Sequence, residues 1–292
     1  MNSRKRNIVI TLFLIPAVTL FAVFFAYPLI TVFITSFCDW TLGQDATFVG
    51  LKNYITLFCE DADFKDALKN TLVWTVLTVA VQVPLSLLVA LVLSKKPRGW
   101  KFVRNCFIVP NIISTVAIGA IFTNMLDGEY GIVNAVIRLF NPDFYVSWLQ
   151  DTRTAFWAVT LSWIFYGGAN VLLILAEISA IPSSVIEAAR IDGATESQID
   201  RRIIIPYLRN VMGTVTVIVS SFAITEFSEV YILTKGGPLT KTLNLGVYLH
   251  RTAMLENHYS LANAVGMVQL VLGAVTILLI NKAFRMGKSI GE

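Results

Sequence analysis

An all-α integral membrane protein with six transmembrane helices is the fold class that the sequence predicts, and three observations predict it. Of 292 residues, 55% are hydrophobic and only 14% charged, where soluble domains average about 25% charged. Six apolar stretches reach the roughly 20 residues that a helix needs to cross the hydrocarbon. None shows the alternating pattern of a barrel strand, and without water a helix must satisfy its own backbone.

The expected spans are 8–36, 71–93, 106–126, 155–176, 211–233 and 261–280. The first follows Arg4, Lys5 and Arg6, as a secretory signal would. Its apolar run far exceeds a signal's 7–15 residues and no A-x-A site follows, so it is read as a retained span. Pro16, Pro28, Pro84 and Pro110 interrupt the apolar runs and predict kinks whose backbone neighbours must re-satisfy. The longest loop, 37–70, contains "EDADFKDALKN", which reads as an amphipathic surface helix. No repeat or long linker divides the chain, so residues 1–292 are expected to form a single membrane domain.

Lys and Arg set the orientation. With the N-terminus inside, 15 of the 23 lie in inside segments, while 13 of the 19 acids lie outside. Both termini are therefore expected in the cytoplasm, and the net charge of +4 reads as a topology signal that gives no reason to invoke nucleic acid. Cys38 and Cys59 fall in or near the first outside loop; without a framework of cysteines, a disulfide between them stays an open alternative.

Between spans four and five lies "EAARIDGATESQIDRRIIIP", Glu187 to Pro206, with seven charged residues in twenty. Ser184 and Glu187 have capping-box spacing, which predicts a helix from Val185. Gly193 ends it through a left-handed residue. Thr195 and Gln198 repeat the spacing, predicting a second short helix from Glu196. Arg201 and Arg202 suit its C-terminal end. Such short helices do not persist alone in water, so the apolar pairs Val185 with Ala189 and Ile199 with Ile203 need cover. From spacing alone two readings stay open: helices lying on lipid headgroups, or a knob presented to a cytoplasmic partner.

The segment resembles the EAA loop of ABC-importer permeases: Glu187-Ala188-Ala189, three residues, Gly193, nine residues, Ile203, then Ile205-Pro206. Ile205 replaces the usual Leu, and Asp200 stands where many sugar permeases have an aromatic. "YPLITVFITSFCDW", "FVGLKNYITLF", "KNTLVWTV", "FVRNCFIVPNIIS", "YGIVNAVI" and "LTKGGP" are similar to the larger, MalF-like permease of carbohydrate importers. The resemblance implies a type I importer permease fold in a bacterial inner membrane. It also implies two cytoplasmic ATPase subunits, a second, MalG-like permease, and an extracellular or periplasmic solute-binding protein. Glu187, Ala188, Ala189, Gly193, Ile203 and Pro206 would then form the coupling loop that seats in the ATPase.

The chain carries no G-x-x-x-x-G-K-[ST] phosphate loop. The nearest stretch, "GGPLTKT" at 236–242, reads as a turn at the outer end of span five, so ATP hydrolysis is expected on another subunit. His250 and His258 have no metal-ligand spacing, and no cofactor is expected. For the solute, Tyr166 and Asn170 in span four, and Phe222 and Glu226 in span five, share helical i,i+4 spacing. An aromatic face with amide and carboxylate acceptors suits a carbohydrate, and the resemblance puts solute contacts on spans four to six. Residue by residue, helix packing explains Tyr166 and Phe222 equally well. Glu229 is read as reaching water at the helix end. The rival class is an ion-gradient-driven transporter or channel whose EAA-like stretch lies on lipid.

Overall fold

The computed structural model describes residues 3–41, 43–164 and 166–286, with side chains from Ile10 onward. Its helices are α1 (Ser3–Phe21), α2 (Tyr27–Thr35), α3 (Lys52–Ile55), α4 (Ala62–Ser94), α5 (Trp100–Ile108), α6 (Thr115–Met125), α7 (Ile132–Arg138) and α8 (Ala155–Trp163). They continue with α9 (Gly168–Ala180), α10 (Ser183–Ile191), α11 (Glu196–Ile199), α12 (Ile205–Tyr207), α13 (Arg209–Thr225), α14 (Ser228–Leu233), α15 (Leu245–His250) and α16 (Tyr259–Phe284). Among the described residues, five helical segments are long and apolar enough to cross a membrane, and a bent pair makes a sixth. The helical membrane fold predicted from composition is the fold observed. One small departure is an antiparallel ribbon, β1 (Cys38–Asp39) with β2 (Thr47–Phe48), Cys38 opposite Phe48.

Two compact units emerge. One comprises the chain up to Asp61 together with Leu249–Leu270. Here a wide turn, Ala22–Ala26, joins α1 to α2 immediately before Pro28. Proline has no N–H, and its ring clashes with the carbonyl four residues back; the widened turn makes room for it. Asn53 donates to the carbonyls of Ser36 and Cys38 at 2.8 and 2.7 Å, which fixes the ribbon to the end of α2. Trp40 N–H donates to Ser260 Oγ at 3.1 Å and Asn263 donates to Thr35 Oγ1 at 2.7 Å. Among the described residues Cys38, Cys59 and Cys106 form no disulfide.

The other unit runs from Ala62 to Tyr248 and from Val271 on. Helix α4 is its axis, packing along both α9 and α13. Val83, Ala90, Leu93, Val171, Ile174, Val215 and Val219 interlock there. Toward the other end of α4, Trp74 stacks on Phe156 at 4.7 Å and donates to Thr160 Oγ1 at 2.7 Å. On the outer surface Val76, Leu88, Val92 and Leu278 are exposed, as an apolar face toward lipid requires.

Several expected boundaries move. "EDADFKDALKN" forms no separate surface helix; from Ala62 it is the first turns of α4, a single helix of 33 residues. Pro84 leaves α4 unbroken. The stretch 106–126 bends, as Pro110 led one to expect: the segments Trp100–Asn111 and Thr115–Met125 meet at 99° just after that proline. Span four breaks between α8 and α9, and span five breaks at Glu226. The turn after α14 is held by Asn70, which donates to the carbonyls of Thr240, Lys241 and Leu243.

Candidate functional site

Two places in the second unit concentrate polar groups. The first is the elbow between spans four and five. Helix α10 begins at Ser183 after Pro182, without a side-chain cap. Ser184 therefore does not cap it, and the capping box expected with Glu187 is not formed; Pro182 already turns the chain in. The C-terminal end follows the glycine logic closely. Gly193 has φ +82°, its N–H donates to Arg190 O at 3.0 Å, and Ala194 N–H donates to Ala189 O at 2.9 Å. This paired bonding closes the orphan carbonyls of the last turn.

Thr195 then caps α11 reciprocally: its N–H donates to Gln198 Oε1 at 2.8 Å, and Gln198 N–H donates to Thr195 Oγ1 at 3.4 Å. A wide turn, Asp200–Ile204, carries Arg201 and Arg202 and leads through Pro206 into α13. Ile199, Ile204 and Leu208 are buried in the same core as α4, α9 and α13, with Ile186, Ala189 and Ile203 packed against it. So the apolar faces have cover, supplied by the protein's own helices. Val185 is the exception to the predicted pairs: it stays exposed, with Ile191 at 86% exposure. Glu187, Ala188 and Pro206 are exposed too. Lys95 at the end of α4 pairs with Asp200 at 2.6 Å, a second tie between elbow and span.

The second place is a cavity of about 250 Å³ between α4, the α5–α6 bend, α9, α13 and α14. Tyr166, Asn170 and Phe222 line it, but not by the predicted geometry. Tyr166 lies in the break between α8 and α9, so it shares no helical face with Asn170; the break itself brings them together. Glu226 does not line it. It ends α13 in an extended conformation, its Oε1 accepts the N–H of Glu229 at 3.0 Å, and its carbonyl accepts from Asn244. The acid in the lining is Glu229, only 3% exposed, with Oε2 buried and unbonded. Since α13 ends at Thr225, the spacing from Phe222 restarts there, and Glu229 turns inward where the sequence suggested water.

Three broken spans converge on this cavity, and each break has a side chain serving its backbone. Asn111 donates to Phe107 O at 2.9 Å beside Pro110. Gln82 donates to Trp163 O at 3.0 Å at the α8–α9 break. Asn244 serves Glu226. At membrane depth such backbone is tolerated where it lines a cavity or is buried in protein. Gly168 lets α9 begin here: a Cβ would stand 1.9 Å from Phe107 O. Gln82 and Asn111, missed from the sequence, line the cavity as well; a lone amide inside an apolar run was the available signal. Among the described residues no cluster could hold a metal ion.

Residues 82–285 match the model of the family described as binding-protein-dependent transport system inner membrane component. The chain is 32% identical over 290 residues to the probable ABC transporter permease protein YurN of Bacillus subtilis, covering 97% of this chain and 98% of that one. It is 32% identical over 275 residues to the arabinooligosaccharides transport system permease protein AraP of the same organism, covering 92% and 86%. Among solved structures, a chain of a bacterial ABC transporter involved in import of the acidic polysaccharide alginate superposes with TM-score 0.83 at 25% identity, covering 96% of each chain. With helices that cross a membrane and a match spanning well over half its length, the chain belongs to the binding-protein-dependent transport system inner membrane component family.

Proposed function

We propose that this ABC importer permease carries a carbohydrate, most simply an oligosaccharide. The observation that carries this reading is the cavity at the three breaks, where Tyr166, Asn170, Phe222, Gln82 and Glu229 meet. An aromatic ring can stack on a sugar's C–H face, while amides and a carboxyl group can bond its hydroxyls. Among the described residues no Lys, Arg or His stands in that lining, which gives no support to an anionic solute. Relatives named for arabinooligosaccharides in Bacillus subtilis and for multiple sugars in Streptococcus mutans support the same class.

The elbow of Glu187, Ala188, Ala189, Gly193, Ile203 and Pro206 is the joint to the ATPase in this reading. Its exposed side offers Val185, Ala188 and Ile191, while Ile199, Ile204 and Leu208 root it in the core. A push on the exposed side is thereby delivered to α4, α9 and α13 around the cavity. The chain acts as one permease domain with both termini in the cytoplasm. It takes the MalF-like place beside a MalG-like permease, with two ATPase subunits inside and a solute-binding protein outside. "YPLITVFITSFCDW" and "FVGLKNYITLF" support that place.

Purification of the tagged chain tests the assembly. An ATPase and a different permease co-elute, and uptake into vesicles is vanadate-sensitive. Uptake driven only by an ion gradient, or isolation as a homodimer without ATPase, overturns it. Glu187→Lys is expected to leave insertion intact and to uncouple ATP hydrolysis from uptake.

A further inference from the structure

A cleft of about 860 Å³ opens beside the elbow, away from the cavity at the breaks. One wall is apolar and belongs to the spans: Leu172, Leu175 and Ile178 of α9. The other is the turn from α4 into α5, where Lys95, Lys96, Arg98, Lys101 and Arg104 occur within ten residues that contain no acid. Helix α5 meets α6 at 99° and leaves Phe102 and Val103 exposed next to these cations. Such a basic stretch at the start of a span stands where the headgroup layer meets it.

The charges that face the cleft are Lys95, Lys96, Arg104, Arg190, Glu196 and Asp200. Lys95 is taken by Asp200 at 2.6 Å and Arg190 by Glu196 at 2.9 Å. Lys96 and Arg104 have no acidic partner among the described residues. Arg104 sits over the Trp100 ring at 4.9 Å, and its Nε is buried without a hydrogen-bond partner. The cleft thus sets two cations without acidic partners beside an apolar wall, and Trp100 stands where aromatic rings favour the membrane interface.

We propose that this cleft binds one anionic phospholipid, its phosphate on Lys96 and Arg104 and an acyl chain along Leu172, Leu175 and Ile178. The assignment rests on the proposed orientation, which puts this end of the spans at the inner leaflet, where basic pockets between spans receive anionic headgroups. Because Ile186, Arg190 and Asp200 of the elbow also line the cleft, the lipid becomes part of the joint's seat.

The test is native mass spectrometry of the detergent-purified importer complex, titrated with phosphatidylglycerol or with phosphatidylcholine of the same acyl chains. The complex retains phosphatidylglycerol selectively. Lys96→Gln and Arg104→Gln each weaken retention about five-fold, the effect of one cation near the surface. Arg104→Lys keeps most of it, and Lys241→Gln, remote in sequence, changes nothing. Soluble glycerol phosphate does not compete. Equal retention of both lipids, unchanged retention in Lys96→Gln and Arg104→Gln, or displacement by glycerol phosphate overturns the proposal. So does a crosslink from a cysteine at position 96 that captures only polypeptide. The readout is binding, so its failure leaves the importer reading untouched and is told apart from a failure of transport.

Discussion

Helix α4 and the segment 155–180 pack against each other, yet they treat the backbone in opposite ways. Helix α4 contains Pro84 and runs unbroken for 33 residues; the segment that forms α8 and α9 contains no proline and breaks. The difference is where polar partners stand. Pro84 is exposed toward the apolar surface, where a break would leave carbonyls facing lipid. The break between α8 and α9 faces Gln82 and Ser86, which donate to the carbonyls of Trp163 and Gly167 at 3.0 and 3.4 Å, adding to the backbone bonds those carbonyls accept from Tyr166 and Val171. A span opens where a neighbour can satisfy it, so the cavity's location is written in α4's amides and hydroxyls as much as in the broken helix.

Gln82 and Pro84, two residues apart on α4, are expected to respond in opposite ways. Gln82→Leu removes one of the two donors to the Trp163 carbonyl, which keeps the Tyr166 N–H, at a cost of about 1 kcal/mol; thermal unfolding in detergent is lowered and uptake falls. Pro84→Ala, by contrast, keeps both uptake and stability at or above the parent level, since it restores an N–H in an already helical segment. If the proline variant is the more damaged of the two, the explanation of the breaks is wrong.

The two acids of span five differ in role. Glu229→Ala is expected to weaken solute affinity about ten-fold, because its carboxyl stands in the cavity lining. Glu226→Ala is expected to leave affinity unchanged and to lower stability, because its carboxylate serves the Glu229 N–H. Solute titration of the two variants separates them, and equal affinity losses contradict the division.

The elbow responds less. Gly193→Ala forces a Cβ into the left-handed region at about 1 kcal/mol, and Thr195→Ala removes the α11 cap at about 1 kcal/mol or less for so short a helix. Both are expected to insert normally and to lower uptake per ATP hydrolysed, with the glycine variant the worse.

How far the sequence was legible follows the same physics. Apolar length announced the helical membrane fold, since no other element satisfies itself in lipid. Gly193 and the Thr195–Gln198 pair were readable because turn chemistry is local. The bend after Pro110 was readable as a kink, but the breaks between α8 and α9 and at Glu226 were not, because they involve Gln82 and Asn244, residues distant in the chain from the carbonyls of Trp163 and Glu226. Extending the helical count through Glu226 gave the wrong acid, as the period restarts at a break. Ser184 misled for a related reason: Pro182 had already set the start of α10.

The most direct measurement is a crosslinking scan with single cysteines at Val185, Ala188 and Ile191 in the assembled importer, followed by uptake with and without ATP. The account predicts crosslinks to an ATPase subunit at these exposed positions, whose yield changes with ATP, and uptake abolished when the crosslink is closed. Crosslinks to lipid alone, with uptake unaffected by the modification, would contradict it.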